Sequence, residues 1–244
     1  MSIADKITQL TTIRGDIRTA LAGKGVSASD HDFADFAADI GSVGEIVLPA
    51  EYQKVDYLTS TGTQRIETGL VNNAYNVPIK YEFGVNYPST SARQLHGSQG
   101  AFYVGVVSGN WQVGQGGTSG TGTATADTWY DVEFYASGAQ SYALRYAIIT
   151  RHDNKATQAF TYSGTQDVSN NYQICVFSLN GQNLPSSCSV SYFKVWQGGT
   201  LQRHLIPCYR KSDNEIGMYD IINGVFYTNA GTGSFTCYPA PPTT

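Results

Sequence analysis

Apolar residues recur at helical spacing through the first 48 residues and at every second position beyond Pro49. At the start, Ile3, Ile7, Leu10, Ile17 and Leu21 advance by steps of 4, 3, 7 and 4, a heptad seam broken at Arg14. The spacing predicts a helix over 3–21. Two uses of it stay open. It could wind around copies of itself, where isoleucine at most seam positions favours three or more strands. It could also pack singly, with Ile13 and Ala20 broadening the stripe. Gly23-Lys24-Gly25 predicts its end through a left-handed glycine. A second helix is expected to start at Ser29 as N-cap, with Asp32 as the acid of a capping box. Phe33, Phe36, Ala37 and Ile40 would share one of its faces, and Asp32, Asp35 and Asp39 the solvated other one. Gly41 and Gly44 stop it, and residues 43–49 form a short linker.

Beyond the linker the period falls to two. Ile79, Tyr81, Phe83, Val85 and Tyr87 alternate with Lys80, Glu82, Gly84 and Asn86, the mark of a strand with one buried face. Phe102, Val104 and Val106 repeat the pattern, as do Tyr130, Val132 and Phe134, and later Val190, Tyr192, Lys194 and Trp196. Residues 114–127, rich in Gly, Ser and Thr, read as a loop. Asn223-Gly224, between Tyr219-Asp220-Ile221 and Val225-Phe226-Tyr227, is the dipeptide of a two-residue type I′ hairpin. Asp213-Asn214 is a weaker turn signal. Ten or more short strands without a helical stretch predict an antiparallel β-sandwich. The fold class is therefore mainly β: a helical module over 1–48, able to form a coiled coil, followed by a sandwich over 49–244.

Composition sharpens this division. Residues 1–48 carry four basic and seven acidic groups and no Tyr or Trp, whereas all 17 Tyr and all three Trp follow Pro49. The formal net charge of -4 leaves no basic excess for displacing counterions, which excludes electrostatic nucleic-acid binding. Hydrophobicity of 41% excludes a wholly disordered chain. The opening MSIADKITQL has no apolar signal-peptide core, and no run approaches a membrane span, so no membrane insertion is expected. Cys175, Cys188, Cys208 and Cys237 match no metal spacing and read as buried apolar side chains.

Two stretches carry a family resemblance. The run DKITQLTTIRGDIRTALAGKGVSASDHDFADFAADIGSV resembles the helical leader of tail-fibre and minor structural proteins of tailed bacteriophages. It implies a module for attachment or oligomerisation on a virion. The segments EYQKVDYLTSTGTQRIETGL and LIPCYRKSDNEIGMYDIINGVFYTNAGTGSFT resemble the opening and closing strands of concanavalin A-like (laminin-G-like) jelly rolls. Lectins, hydrolases and inert spacers share that fold, so the resemblance alone does not choose among them.

Enzyme chemistry finds little support. A retaining glycosidase needs two carboxylates about 5–5.5 Å apart, and the Glu-x-Asp-x-x-Glu pattern of such jelly rolls is missing. Asp131 and Glu133 share a strand face but are expected to point to solvent. GTSGTG at 117–122 does not sit in a nucleophile elbow. His31, His96, His152 and His204 lack zinc spacing, and no loop ends in the phosphate-binding GK[ST]. No cofactor is expected. Calcium on Asp153-Asn154 or on Asp167, Asn170 and Asn171 is conceivable from the resemblance, though no calcium-loop motif indicates it.

Binding is the better expectation. Aromatic faces cover the apolar C–H patches of sugars, and amides and carboxylates take the hydroxyls. Trp111 beside Asn110, with Tyr103, Arg93 and His96 close in sequence, forms the candidate ligand site, and a core tryptophan is the competing reading. Trp129 and Trp196 sit inside strand patterns and are expected in the core. The seam and second-helix residues Ile3, Ile7, Leu10, Ile17, Leu21, Phe33, Phe36 and Ile40 are the candidates for attachment and oligomerisation. The resulting expectation is a non-enzymatic virion protein, made in the host cytoplasm. It would be homotrimeric, attached to other virion proteins by its helices, with its sandwich facing a host glycan. A head or neck fibre or decoration protein making protein contacts, and a glycan hydrolase, are the alternatives.

Overall fold

The computed structural model describes residues 3–24, 46–71, 77–88, 94–98, 102–114, 122–136, 143–164, 172–180 and 186–242. The chain divides into two compact units, Met1–Val47 and Leu48–Thr244. In the first, α1 (Ile3–Ala22) occupies the predicted helix. Its end is closed by the Gly23 amide donating to Thr19 O and the Lys24 amide to Leu21 O. Gly23 itself is not left-handed, and Gly25, the other glycine of that signal, lies outside the described residues. Leu21 is 3% exposed, while Leu10 and Ile13 are 52% and 42% exposed, leaving part of the seam uncovered. The side chains of Ile3 and Ile7, and the whole second helix with Phe33, Phe36 and Ile40, lie outside the described residues. Among the described residues no helix is long and apolar enough to cross a membrane.

The second unit is an antiparallel β-sandwich whose chain passes repeatedly between two sheets. In the large sheet lie β1 (Tyr52–Lys54) and β2 (Tyr57–Thr61), followed by β3 (Ile66–Val71) in the small sheet and β4 (Ile79–Asn86) back in the large one. The small sheet then takes β5 (Gln94–Ser98), β6 (Phe102–Val107), β7 (Asn110–Gly114) and β8 (Gly122–Thr123). Next, β9 (Trp129–Ala136), β10 (Ala143–Arg151) and β11 (Thr157–Gly164) extend the large sheet. After β12 (Gln173–Val176) and β13 (Leu179–Asn180) in the small sheet, the large sheet is completed by five strands. These are β14 (Ser187–Gln197), β15 (Thr200–Arg210), β16 (Ile216–Asp220), β17 (Val225–Tyr227) and β18 (Thr236–Tyr238). Its central order is β11-β10-β9-β4-β14-β15-β16-β17. Between the sheets, Phe83, Val132, Phe134 and Phe193 meet Ile66, Val104, Trp111 and Val176 in one apolar core, as face-to-face packing of alternating strands requires.

The two terminal signatures are held to each other. Strands β2 and β18 pair, with Leu58 opposite Cys237. Beyond them the Thr232 amide donates to Thr63 O at 3.0 Å, the Thr63 hydroxyl donates to Thr232 O at 3.0 Å, and the Arg65 amide donates to Asn229 Oδ1 at 3.1 Å. A Cβ at Gly231 would stand 2.1 Å from the Thr63 carbonyl oxygen, so the approach requires glycine. All four cysteines are free, three of them buried and Cys237 partly so.

Two local readings change. The expected two-residue turn at Asn223-Gly224 is a four-residue connection: Asp220 pairs with Val225, and of the two residues only Gly224 has positive φ. Turns with both central residues at positive φ, the demand of type I′, are instead Ser108-Gly109 between β6 and β7 and Gly198-Gly199 between β14 and β15. More consequential is a bulge in β14. Val190 pairs with Val85 but Tyr192 pairs with Gly84, two residues against one. The alternation therefore inverts. Phe193 and Val195 turn inward, and Tyr192, Lys194 and Trp196 turn outward, opposite to the phase carried forward from Val190.

Candidate functional site

Outward positions on β4, β9 and β14 converge on the solvent face of the large sheet. From β4 come Lys80 and Glu82, from β9 come Trp129, Asp131, Glu133 and Tyr135, and from β14 come Tyr192, Lys194 and Trp196. Glu82 and Glu133 are cross-strand partners, a like-charge pairing that is unfavourable alone. Lys80 resolves it by lying 2.8 Å from Glu82 and 3.0 Å from Glu133, with Lys194 3.6 Å from the other Glu82 oxygen. The Tyr146 hydroxyl donates to Glu133 at 2.8 Å, and the Tyr192 hydroxyl to Asp131 at 3.0 Å. Asp131 also has His152 Nε2 within 2.8 Å. These groups are about one quarter to one half exposed, so they are ordered by one another yet open to a solute.

Between them is a hollow of about 310 Å³ lined by Glu82, Asp131, Val132, Glu133, Ile148, Thr150 and Tyr192. Gly84 makes it possible. A Cβ there would come within 2.1 Å of Ser191 Oγ and 3.0 Å of the Tyr192 ring, so a side chain would dislodge the tyrosine that walls the hollow. A second, mostly apolar hollow of about 230 Å³ adjoins it, lined by Pro78, Ile79, Lys80, Tyr135, Trp196 and Gly199. Lys80 lies 5.1 Å from the Trp196 ring centre, a cation–π distance. At the other end, Trp129 packs on Tyr57 at 5.3 Å and on His152 at 6.4 Å, and Tyr57 stacks on the exposed Tyr238.

Ionisation suits hydrogen bonding to a neutral solute. Burial pulls Lys80 down, but its bonds to Glu82 and Glu133 outweigh that and hold it above the ordinary lysine value, so it stays a cationic donor. Burial, and then the charge on Asp131, keep the Tyr192 phenol well above its usual range and therefore protonated. His204, opposite Lys194 in the ladder, behaves differently: burial and the Lys194 ammonium pull it down to about 4. The folded protein thus refuses a proton that the unfolded chain accepts near 6.5. Stability is fully present above about pH 6.5 and falls as the pH drops toward about 4. Because the ring is partly exposed, the unscreened 1.36 kcal/mol per unit is discounted to a loss of roughly 1–2 kcal/mol in all. Melting curves between about pH 7 and pH 4.5 should show a shallower decline for His204→Gln than for the wild type. Equal slopes would refute this assignment.

Among the described residues the candidate ligand site drawn from sequence does not come together on an open surface. Trp111 is fully buried, edge-on to Tyr130 at 5.2 Å and to Tyr87 at 5.8 Å, so its faces are covered by the opposing sheet. Tyr103 is 7% exposed. Asn110 is exposed but turns its amide to Ser108 O in the β6–β7 turn. The backbone of His96 pairs with Val104, while its side chain and all of Arg93 lie outside the described residues. Conversely, Trp129 and Trp196, expected in the core, are partly exposed on the outer face. Glu82, Lys80 and Tyr192 did not stand out because no linear motif joins three strands, although Asp131 and Glu133 were legible as one outward face. Among the described residues no group of His, Cys, Asp or Glu is arranged to hold a metal ion. Asp153 is instead bonded bidentately by Arg151, and Asp167, Asn170 and Asn171 lie outside the described residues.

No family model matches the sequence, and no curated protein does. Solved structures of similar architecture include a Bacteroides ovatus protein described as a "putative carbohydrate binding protein", 13% identical with a TM-score of 0.49. That comparison covers 78% of this chain, which spans 62% of the length of the other. A heptameric SAP-like pentraxin from Limulus polyphemus is 9% identical with a TM-score of 0.34, over 62% of this chain and 78% of that one.

Proposed function

We propose that the sandwich is a non-catalytic glycan-binding module whose site is the outer face of the large sheet around Glu82, Asp131, Glu133 and Tyr192. The observation that carries this reading is the hollow of about 310 Å³ where fixed carboxylate acceptors and a phenol surround the outward aliphatic side chain of Ile148. A sugar ring offers the matching surface, hydroxyls at its edge and C–H bonds on its face. The lysine bridge between Glu82 and Glu133 supports acceptor duty rather than hydrolysis, since it supplies both carboxylates with a counter-charge. By resemblance of its leader, the chain is a virion protein of a tailed phage, facing a host surface. The exposed Leu10 and Ile13 on α1 support association of its helical module with copies of itself or with other virion proteins. Trimers would convert weak single-site affinity into firm attachment.

A glycan array followed by titration calorimetry tests this. Wild type should bind at least one neutral oligosaccharide without releasing new reducing ends. Tyr192→Phe and Glu133→Gln should each weaken binding about tenfold, as loss of a hydrogen bond involving a charged group predicts. Deleting residues 1–48 should leave single-site affinity intact and abolish trimers in light scattering. A blank array, or unaltered affinity in both variants, would defeat the glycan reading.

A further inference from the structure

Two hollows of different character are linked by one lysine, which lines the second and bonds to two carboxylates of the first. The first is lined by carboxylates and a phenol, the second by Trp196, Tyr135, Pro78, Ile79 and Lys80, and Lys80 reaches the first through Glu82 and Glu133. The rim of the second is the Gly198-Gly199 turn, left-handed at both residues (φ 59° and 81°), so no side chain fills it. An ammonium has three donors, and Glu82 and Glu133 take two of those on Lys80. Lys80 also lines the apolar recess beside Trp196, so a third donor is left for a ligand there, with the carboxylates of Glu82 and Glu133 next to it.

That combination of an apolar recess, one cationic donor and adjacent carboxylate acceptors is the complement of a secondary amide carrying a methyl group. We infer that the ligand is a glycan containing N-acetylated amino sugars, its acetamido methyl seated against Trp196 and Tyr135. The acetamido carbonyl accepts from Lys80, and its N–H, with the neighbouring hydroxyls, donates to Glu82 and Glu133. A free amine at the same position would set a second cation beside Lys80 and leave the recess without its methyl. A plain hydroxyl leaves the recess to water. The methyl of a 6-deoxy sugar would fill the recess but use neither the lysine donor nor the amide acceptors.

This assignment rests on the glycan reading of the same face, and its test separates the two. Calorimetry compares full-length protein with oligomers of N-acetylglucosamine, their de-acetylated counterparts, glucose oligomers and a 6-deoxyhexose. The acetylated oligomer should bind about tenfold or more tightly than each of the others, the gain expected from one buried methyl and one charge-assisted hydrogen bond. Trp196→Ala and Tyr135→Ala should each bring the acetylated-to-plain ratio toward one. Tyr192→Phe should lower both affinities and keep the ratio. Equal binding of acetylated and plain oligomers by the wild type, or preference for the 6-deoxyhexose, overturns the acetamido assignment and leaves the glycan reading standing. Failure to bind any of these, together with a blank array, overturns both.

Discussion

Replacing Trp111 with alanine should cost roughly 3–5 kcal/mol of stability, the range for truncating a fully buried large aromatic. For a unit of this size that lowers the melting temperature by about 10 °C. The reason is geometric. Trp111 comes from the small sheet but its neighbours Tyr87 and Tyr130 come from the large-sheet side, so one side chain fills the space between layers. Close packing leaves no cheap way to collapse that volume. The folded fraction of Trp111→Ala should keep its glycan selectivity, because no atom of the indole reaches the outer face. Trp196→Ala should show the reverse, a stability change of no more than about 1 kcal/mol with a clear loss of selectivity, since the ring is partly exposed and deletes a wall rather than a core. Denaturant titration and calorimetry on both variants read the two effects separately. If Trp111→Ala were as stable as the wild type yet impaired in binding, the assignment of roles to the two tryptophans would be inverted.

That inversion shows where the sequence was informative and where it was not. Period-two patterns over 79–87 and 130–134 identify the inward faces of β4 and β9, so Lys80, Glu82, Asp131 and Glu133 were legible as outward residues one strand at a time. Their convergence was not, because the adjacency of β4 with β9 and β14 joins residues roughly 50 to 110 positions apart through long-range pairing that local pattern does not encode. In β14 the bulge at Ser191 shifts the phase by one residue, and a one-residue shift moves every later side chain to the other face. Tyr192, Lys194 and Trp196 entered the site through that shift. A cue was present in Gly84, a small residue in an otherwise bulky strand, which marks the close approach the bulge needs. For Trp111, flanked by polar Asn110 and Gln112, the pattern N-W-Q-V fits an inward or an outward tryptophan equally well, and only the opposing sheet decides between them. The Asn223-Gly224 signal failed for a related reason: the turn is specified by a buried side chain upstream rather than by its own dipeptide.

That side chain is Asp220, and Asp220→Ala should destabilise the sandwich by about 4 kcal/mol, in the range for removing one partner of a buried charged network. Asp220 has no solvent exposure. One carboxylate oxygen accepts from the His204 amide at 3.0 Å and from the Ile222 amide at 3.1 Å, and the other from Asn223 Nδ2 at 2.8 Å, with Arg203 Nε 3.6 Å away. The residue therefore ties the four-residue turn after β16 to the middle of β15. Alanine removes the acceptor of two backbone amides, while Arg203 Nε keeps Thr68 O and Asn223 keeps Gln202 O, and each unsatisfied buried donor costs about 1–3 kcal/mol. Asparagine should cost about half as much, because its carbonyl still serves both backbone amides while Asn223 can turn its own oxygen toward the new amide. The network reaches the edge of the proposed site: the ladder places His204 opposite Lys194, and Lys194 contacts Glu82. Exchanging the charge-assisted bond to the His204 amide for a neutral one should therefore weaken glycan binding in Asp220→Asn by more than its stability loss accounts for, measured at a temperature where the variant is fully folded. Undiminished affinity there would mean that the turn supports the fold without supporting the site.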